Sequence, residues 1–368
     1  MRSLKVLFID ATKGFYPGRI KEKPTGGILT SLTLVPKYLA KCGVDVSILS
    51  EHEVDEVVDG VKFIKRPISE NIWDVVVFNR NMFDRATVNF FKNSRKVWWL
   101  HDIVDHSYVQ DESFRSMDVI VALSSYCRDS FSDFYGIDKN KFAIIPNGVD
   151  KEIFYPQEGG RDKNLYLCAS APIKGYYPLD LTIRNLKRYS EDFEIRLFSG
   201  SKLHGIDLTD GMLRQLNQMR EAGVTISEPV PQAQLADLMR KAWAFLMPGH
   251  YPEICSNLVL QAQACGLPVI GAPIGSLPEF VTHGENGLLT KTLPHDMFWW
   301  YKDFTEQCTR LYLDEKLHNF LSRNGPGGVM SWDEIGKMWH EMLIGAKWDR
   351  PTSTINTHRN LISAGRKY

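Results

Sequence analysis

The sequence predicts an α/β protein made of two Rossmann-like lobes, each a doubly wound parallel sheet covered by helices. Short apolar runs alternate with segments of helical periodicity along most of the chain. At 368 residues the chain is longer than an ordinary single domain and suits two. With 43% hydrophobic and 24% charged residues, its composition is that of a folded globular protein.

The first lobe is expected at residues 1–150. Its apolar runs, typical of buried parallel strands, fall at residues 6–9, 44–49, 61–64, 75–78, 97–100, 119–123 and 142–145. Between the first two runs, Gly26-Gly27 precedes a helical pattern at residues 28–42. Strand, glycine loop, helix and strand together predict one βαβ unit. A further helical pattern covers residues 124–135.

The second lobe is expected at residues 151–330, after a tight turn at Asn147-Gly148. Its apolar runs fall at residues 165–169, 194–198, 224–226, 244–247, 268–271 and 287–289. A late helix is expected within residues 331–346 and would cross back to the first lobe. The polar residues 347–368 are expected to form a loosely ordered tail.

Charge and cysteine content argue against several classes of protein. Basic and acidic residues both number 44, so no positive excess favours a nucleic-acid partner. The six cysteines lie far apart, which indicates free thiols and a reducing, cytoplasmic location. No run approaches the roughly 20 apolar residues of a membrane helix, so any membrane contact is expected to be peripheral.

The polar loop after the run at residues 244–247 is the first candidate binding site. Ser256 suits the N-cap of a helix, which would leave the N–H groups of Asn257 and Leu258 unpaired. Such a helix end carries about half a positive charge and can hold a diphosphate without a metal ion. Glu253 would lie beside that phosphate. Taken alone, a single glutamate here is more often an ordinary surface carboxylate.

Residues 248–289 resemble the donor-site signature of family 4-like retaining glycosyltransferases, the glycosyl transferases group 1, which have the GT-B fold. In that signature two glutamates are separated by seven residues and followed by a run like A-x-A-C-G-x-P-V. The resemblance implies that Glu253 faces the donor sugar. Gln261 occupies the place of the second glutamate, which holds the ribose hydroxyls. An amide still accepts a hydrogen bond but lacks the charge that roughly doubles its strength.

Other matches extend the resemblance to both lobes. Gly26-Gly27 is similar to the family's glycine loop, which approaches the donor phosphates. Lys174 stands before a glycine, as in the family's Lys-Gly pair, where the lysine meets the donor diphosphate. The family usually has an arginine five residues earlier, and here Ala169 stands there with Ser170 beside it. One phosphate contact is therefore missing or supplied by another residue, and we include Ser170 among the expected binding residues.

His101 follows the run at residues 97–100, at the end of a predicted strand where open α/β sheets bind ligands. The resemblance implies the same, since family members commonly carry a histidine here, near the reacting sugar. No D-x-D motif follows a strand, and no histidines or cysteines show ligand spacing. We therefore expect neither a metal ion nor another cofactor.

The resemblance implies a metal-independent retaining transfer of a sugar from a UDP- or GDP-linked donor to a glycan or lipid-linked acceptor. His101, Glu253 and Lys174 are the expected catalytic residues. Two alternatives stay open. One is a GT-B isomerase or phosphorylase, and the other is a non-catalytic binder of sugar nucleotides, which Ala169 and Gln261 favour.

Four tryptophans form two adjacent pairs, Trp98-Trp99 and Trp299-Trp300. Aromatic pairs of this kind can stack on sugars or enter a membrane surface. Because the first pair lies in a predicted strand and the second in a predicted helix, we expect all four to pack in the interior.

Overall fold

The computed structural model describes residues 3–10, 23–49, 55–64, 68–80, 83–104, 112–157, 159–200 and 207–345. The predicted tail at residues 347–368 lies outside this part of the chain. The described residues form two separate sheets, of eight and six strands.

The first sheet has the strand order β3-β4-β2-β1-β5-β6-β7-β8. Its strands are β1 (Lys5–Ile9), β2 (Asp45–Leu49), β3 (Glu56–Val58), β4 (Val61–Ile64), β5 (Val75–Asn79), β6 (Arg95–Trp99), β7 (Val119–Ala122) and β8 (Phe142–Ile144). All neighbours run parallel except β3 and β4, which form an antiparallel pair at one edge. The sequence did not predict β3, because three half-exposed residues give no periodic signal.

Helices connect several strands of this sheet. They are α1 (Gly27–Lys41), α2 (Arg85–Phe90) and α3 (Ser125–Tyr135). Helix α1 buries Leu32, Val35 and Leu39, which share one face at helical spacing. Helix α3 begins after Ser124, whose hydroxyl accepts the backbone N–H of Cys127 at 3.1 Å.

The second sheet is entirely parallel and has the order β11-β10-β9-β12-β13-β14. Its strands are β9 (Asp162–Ser170), β10 (Glu194–Ser199), β11 (Thr225–Ser227), β12 (Ala242–Met247), β13 (Val269–Gly271) and β14 (Gly287–Leu289). Its helices are α4 (Leu179–Leu186), α5 (Asp210–Ala222), α6 (Gln232–Lys241), α7 (Asn257–Ala264), α8 (Leu277–Phe280), α9 (Met297–Leu313) and α10 (Glu315–Asn324). None of the helices in the described ranges has the length and apolarity needed to cross a bilayer.

A last helix, α11 (Trp332–Ile344), follows the second lobe in sequence but packs on the first. The fully buried ring of Trp339 lies 4.8 Å from that of Trp99 and 6.1 Å from that of Phe8. The helix begins with a capping box, in which Ser331 and Glu334 satisfy each other's backbone N–H groups. The two lobes are therefore joined both at residues 145–150 and through α11.

Three of the four paired tryptophans are buried as predicted, Trp98, Trp99 and Trp300. The prediction is wrong for Trp299, which is 53% exposed beside Phe298, which is 71% exposed. Both lie in the first turn of α9, where Trp300 is fully buried and its ring lies 6.5 Å from that of the buried Phe304. Residues 297–300 are four consecutive apolar residues, and their side chains point in different directions around the helix axis. A single buried face of the helix therefore cannot cover all of them.

Candidate active site between the lobes

A pocket opens where β9 and β12 of the second sheet end. Its lining includes Ser170, Lys174, Met247, Tyr251 and Glu253. Lys174 closes a short 3-10 turn, and its Nζ lies 2.5 Å from Oε1 of Glu253 and 5.0 Å from the ring centre of Tyr251. The Lys174 and Glu253 side chains are 29% and 18% exposed, so this ion pair is partly shielded from water.

Three loops hold the ion pair in place. The backbone N–H of His250 donates to the Lys174 carbonyl at 3.0 Å, and that of Ser276 donates to the Glu253 carbonyl at 2.7 Å. Gly275 has φ +59°, and a Cβ there would lie 2.5 Å from the Glu253 carbonyl oxygen. Only glycine fits this approach. The loops after β9, β12 and β13 are thus locked around Lys174 and Glu253.

Helix α7 starts beside this pocket with Ser256 at its N-cap, as predicted. The Ser256 side chain makes no capping hydrogen bond. The side-chain amide of Asn257 donates to the carbonyl of Gly27 at 3.5 Å, and a Cβ on Gly27 would lie 3.1 Å from that amide nitrogen. Gly27 is the first residue of α1, so the N-termini of α1 and α7 meet across the lobes. Each contributes partial positive charge and unpaired N–H groups.

The structure does not bring every predicted residue into this pocket. Gln261 is buried within α7, 7% exposed, and does not line the pocket. Leu258 lies in the first turn of the same helix, and Gly26 is the N-cap of α1. Ala169, where the family has arginine, precedes Ser170 at the end of β9. Lys174 is the one basic side chain among the described residues that line the pocket.

His101 follows β6 on the first lobe and does not line the donor-side pocket. It is 9% exposed, and its ring lies 4.4 Å from that of Trp99. Burial, and secondarily the charge of Arg80, lowers the pKa of His101 from 6.5 to about 3. Its ring is therefore neutral at physiological pH. Its role near the reacting sugar stays a prediction.

Further polar contacts join the lobes, and the sequence did not indicate them. The Glu279 carboxylate of α8 accepts the backbone N–H groups of Ser125 and Tyr126 at 2.8 and 2.7 Å. The Asn147 side chain accepts from the Ser31 hydroxyl at 2.9 Å and donates to the Cys255 carbonyl at 3.3 Å. The carboxyl edges of the two sheets therefore face each other, and the pocket lies on the second lobe's side of this junction.

The first sheet also carries polar residues at its carboxyl edge that the sequence analysis missed. They are Asp10 after β1, Asn79 and Arg80 at the end of β5, and Asp102 beside His101. The strand-end criterion that selected His101 would have found them. No cluster of His, Cys, Asp and Glu residues within the described ranges could hold a metal ion.

Two facing Rossmann-like lobes with a site between them define the GT-B class, and comparison with solved structures agrees. Sucrose-phosphate synthase from Thermosynechococcus elongatus superposes with a TM-score of 0.71 at 15% identity, covering 92% of this chain and 98% of that one. HepE from Anabaena, solved with UDP-glucose, gives 0.68 at 17% identity, with 92% and 99% covered. The predicted fold class is confirmed.

Two family profiles match different lobes of the chain, namely Glycosyltransferase Family 4 over residues 76–153 and glycosyl transferases group 1 over residues 177–311. Each lobe thus matches a glycosyltransferase profile, which confirms the resemblance to the family 4-like glycosyltransferases that the sequence indicated.

Curated relatives agree with this assignment. Alpha-maltose-1-phosphate synthase of Mycolicibacterium smegmatis is 26% identical over 50% of this chain and 51% of its own. D-inositol 3-phosphate glycosyltransferase of Actinosynnema mirum is 28% identical over 61% and 56%. The chain thus spans about half the length of these curated relatives.

Proposed function

We propose that this protein is a metal-independent, retaining glycosyltransferase that moves a sugar from a nucleotide-diphosphate donor to a glycan or lipid-linked acceptor. The observation that carries the proposal is the Lys174–Glu253 ion pair, which lies at the carboxyl edge of the second sheet beside the N-terminus of α7. The two glycosyltransferase profile matches and the GT-B fold support the same activity class.

The donor diphosphate would lie between Lys174 and the facing N-termini of α1 and α7. A lysine, two helix dipoles and unpaired N–H groups can balance a diphosphate's charge without a cation. Binding would draw Lys174 from Glu253 toward phosphate and free the carboxylate to accept from a hydroxyl of the donor sugar. The structurally similar HepE was solved with UDP-glucose, and this similarity favours a UDP-linked donor.

In the proposed reaction the acceptor hydroxyl attacks the anomeric carbon from the face that the nucleotide leaves. The bond between that carbon and the diphosphate oxygen breaks, the new glycosidic bond forms, and the hydroxyl proton passes to the leaving diphosphate. Lys174 and the two helix ends stabilise the developing negative charge, so the chain's contribution is electrostatic and positional. Lobe closure would exclude water from the cleft.

A thermal-shift screen against UDP, GDP, ADP and their sugars tests the donor site. A ligand at 100 times its Kd stabilises the folded state by about 2.7 kcal/mol, which raises the melting temperature measurably. Nucleotide release from the best donor, with and without EDTA, then tests catalysis. Activity that EDTA abolishes and magnesium restores would contradict metal independence, and donor binding without release would favour the non-catalytic alternative.

A further inference from the structure

The described part of the first lobe has four buried polar atoms without hydrogen-bond partners, and the two on Asn79 and His101 lie just at or beyond neighbouring strand ends. Asn79, at the end of β5, is fully buried, and its Oδ1 has no partner. His101, after β6, is 9% exposed, and its Nε2 has none. A buried polar atom left unpaired destabilises the fold, so native proteins rarely keep one without a ligand or a function.

The register of the sheet places these two residues on the same side. Asn79 pairs with Trp99 in the parallel β5–β6 ladder, so their side chains project to one face. His101 lies two positions after Trp99, and its ring contacts that of Trp99. The two unpartnered atoms therefore lie at adjacent strand ends on one face of the sheet.

Asp10 determines whether the oxygen or the nitrogen of the Asn79 side-chain amide is available to a ligand. The Asn79 Nδ2 donates to Oδ2 of Asp10 at 2.6 Å. A carboxylate can only accept, so the amide must direct its NH₂ group at Asp10 and its Oδ1 elsewhere. The site thus offers a fixed hydrogen-bond acceptor, and a matching ligand must donate, as a hydroxyl does.

The ends of β5 and β6 are also locked together. Arg80 has φ +58°, unusual for a non-glycine residue, and its Nε donates to Asp102 at 2.8 Å. The Trp98 indole N–H donates to the Arg80 carbonyl at 2.5 Å, while the Arg80 N–H donates to the Trp99 carbonyl at 2.9 Å. These contacts fix the positions of Asn79 and His101, which is the preorganisation that a binding site requires.

We propose that Asn79 is a substrate-positioning residue, whose Oδ1 accepts from one hydroxyl of the acceptor sugar while Nε2 of His101 bonds a second. This inference rests on the proposed transferase function. It specifies that the acceptor carries several hydroxyl groups and is uncharged where it contacts the carboxyl edge of the first sheet. An anionic group would be repelled by Asn79 Oδ1, and the Arg80 guanidinium is already paired with Asp102.

The test uses the full chain with ¹⁵N-labelled histidine, saturated with UDP. The His101 ring resonances are assigned through His101→Gln and followed during titration with methyl glycosides of glucose, mannose, galactose and N-acetylglucosamine. At least one glycoside should move the Nε2 resonance. Asn79→Ala should weaken that glycoside about tenfold, the upper range for a neutral hydrogen bond, and leave UDP affinity unchanged.

Two further variants separate positioning from stability. Asp10→Asn permits either orientation of the Asn79 amide and should also weaken the glycoside while UDP still binds. Asn185→Ala is the matched control, because it removes a similar side-chain hydrogen bond, 2.8 Å to Thr309, on the second lobe. Equal weakening by Asn79→Ala and Asn185→Ala would overturn the proposal.

The subsite and the donor function fail in different ways. A protein that binds UDP but whose His101 resonance responds to none of the glycosides would overturn the subsite and leave the donor function standing. A response to a glycoside in protein that binds no nucleotide would support the subsite and contradict the donor function.

Discussion

Glu279 of the second lobe accepts a hydrogen bond of 2.8 Å from the backbone N–H of Ser125 in the first lobe. Its other carboxylate oxygen accepts from the backbone N–H of Tyr126. The Glu279 carboxylate therefore caps the N-terminus of α3, where the helix dipole favours an anion. Three residues before Glu279, Ser276 donates to the Glu253 carbonyl. One short segment therefore contacts both the donor pocket and the opposite lobe.

Glu279→Ala should loosen the contact between the lobes. An exposed carboxylate at a helix end contributes about 0.3–1 kcal/mol, so UDP affinity should fall by roughly two- to fivefold. Small-angle scattering should show a larger radius of gyration. Asp84→Ala is the control, since Asp84 caps α2 within one lobe by accepting from Thr87 at 2.7 Å. Unchanged affinity and radius in Glu279→Ala would show that other contacts hold the lobes.

The sequence predicted most strands because buried parallel strands are continuous apolar runs, and these can be read locally. It also selected Lys174 and Glu253, since both match a motif. It could not predict that they pair, nor that Glu279 reaches Ser125, because these contacts join residues 79 and 154 positions apart. The error at Trp299 has a related cause. The helical periodicity around Trp299 is local, and it does not show which other parts of the chain would cover that side chain.

Lys174→Ala should weaken a nucleoside diphosphate far more than the corresponding nucleoside. A hydrogen bond to a charged group contributes about 1.5–3 kcal/mol, which corresponds to roughly 10- to 150-fold in Kd by calorimetry. Lys187→Ala is the control, an exposed lysine just after α4 that does not line the pocket. Equal losses of affinity for UDP and for uridine would show that Lys174 does not contact the phosphates.

The neutral His101 should make stability depend on pH. Its pKa is lowered to about 3 in the folded chain by burial, whereas an unfolded histidine titrates near 6.5. Between these values only the unfolded state binds the proton, so the free energy of unfolding falls as pH falls, by up to about 1.4 kcal/mol per pH unit. His318, whose pKa burial lowers to about 4, adds a second such contribution.

Urea unfolding at several pH values between 4.5 and 7 measures this slope. His101→Gln should reduce it by about one proton and leave the contribution of His318. His318→Gln should reduce the slope similarly above pH 4.5. A slope that His101→Gln leaves unchanged would show that the folded imidazole already takes up the proton.

The last prediction concerns how Glu253 and Gln261 divide the donor. Glu253→Gln should lower kcat, because the proposed contact with the donor sugar tightens as the nucleotide leaves and so acts in the transition state. Binding of the diphosphate should be kept or strengthened, since Lys174 no longer has to leave a carboxylate 2.5 Å away. Full turnover in Glu253→Gln would show that this carboxylate does not contact the reacting sugar.

Gln261→Glu restores the family's usual residue within α7 and should hold the ribose with a charged acceptor. Because Gln261 is only 7% exposed, the new carboxylate would be partly desolvated, and its charge would oppose the nearby diphosphate. Ala169→Arg supplies the missing cation at the end of β9. The donor-binding free energy of the double variant should therefore be more favourable than the sum of the two single effects predicts. We expect this coupling to be at least about 0.5 kcal/mol when it is measured by calorimetry. Affinities that simply add would mean that positions 169 and 261 do not share one bound nucleotide.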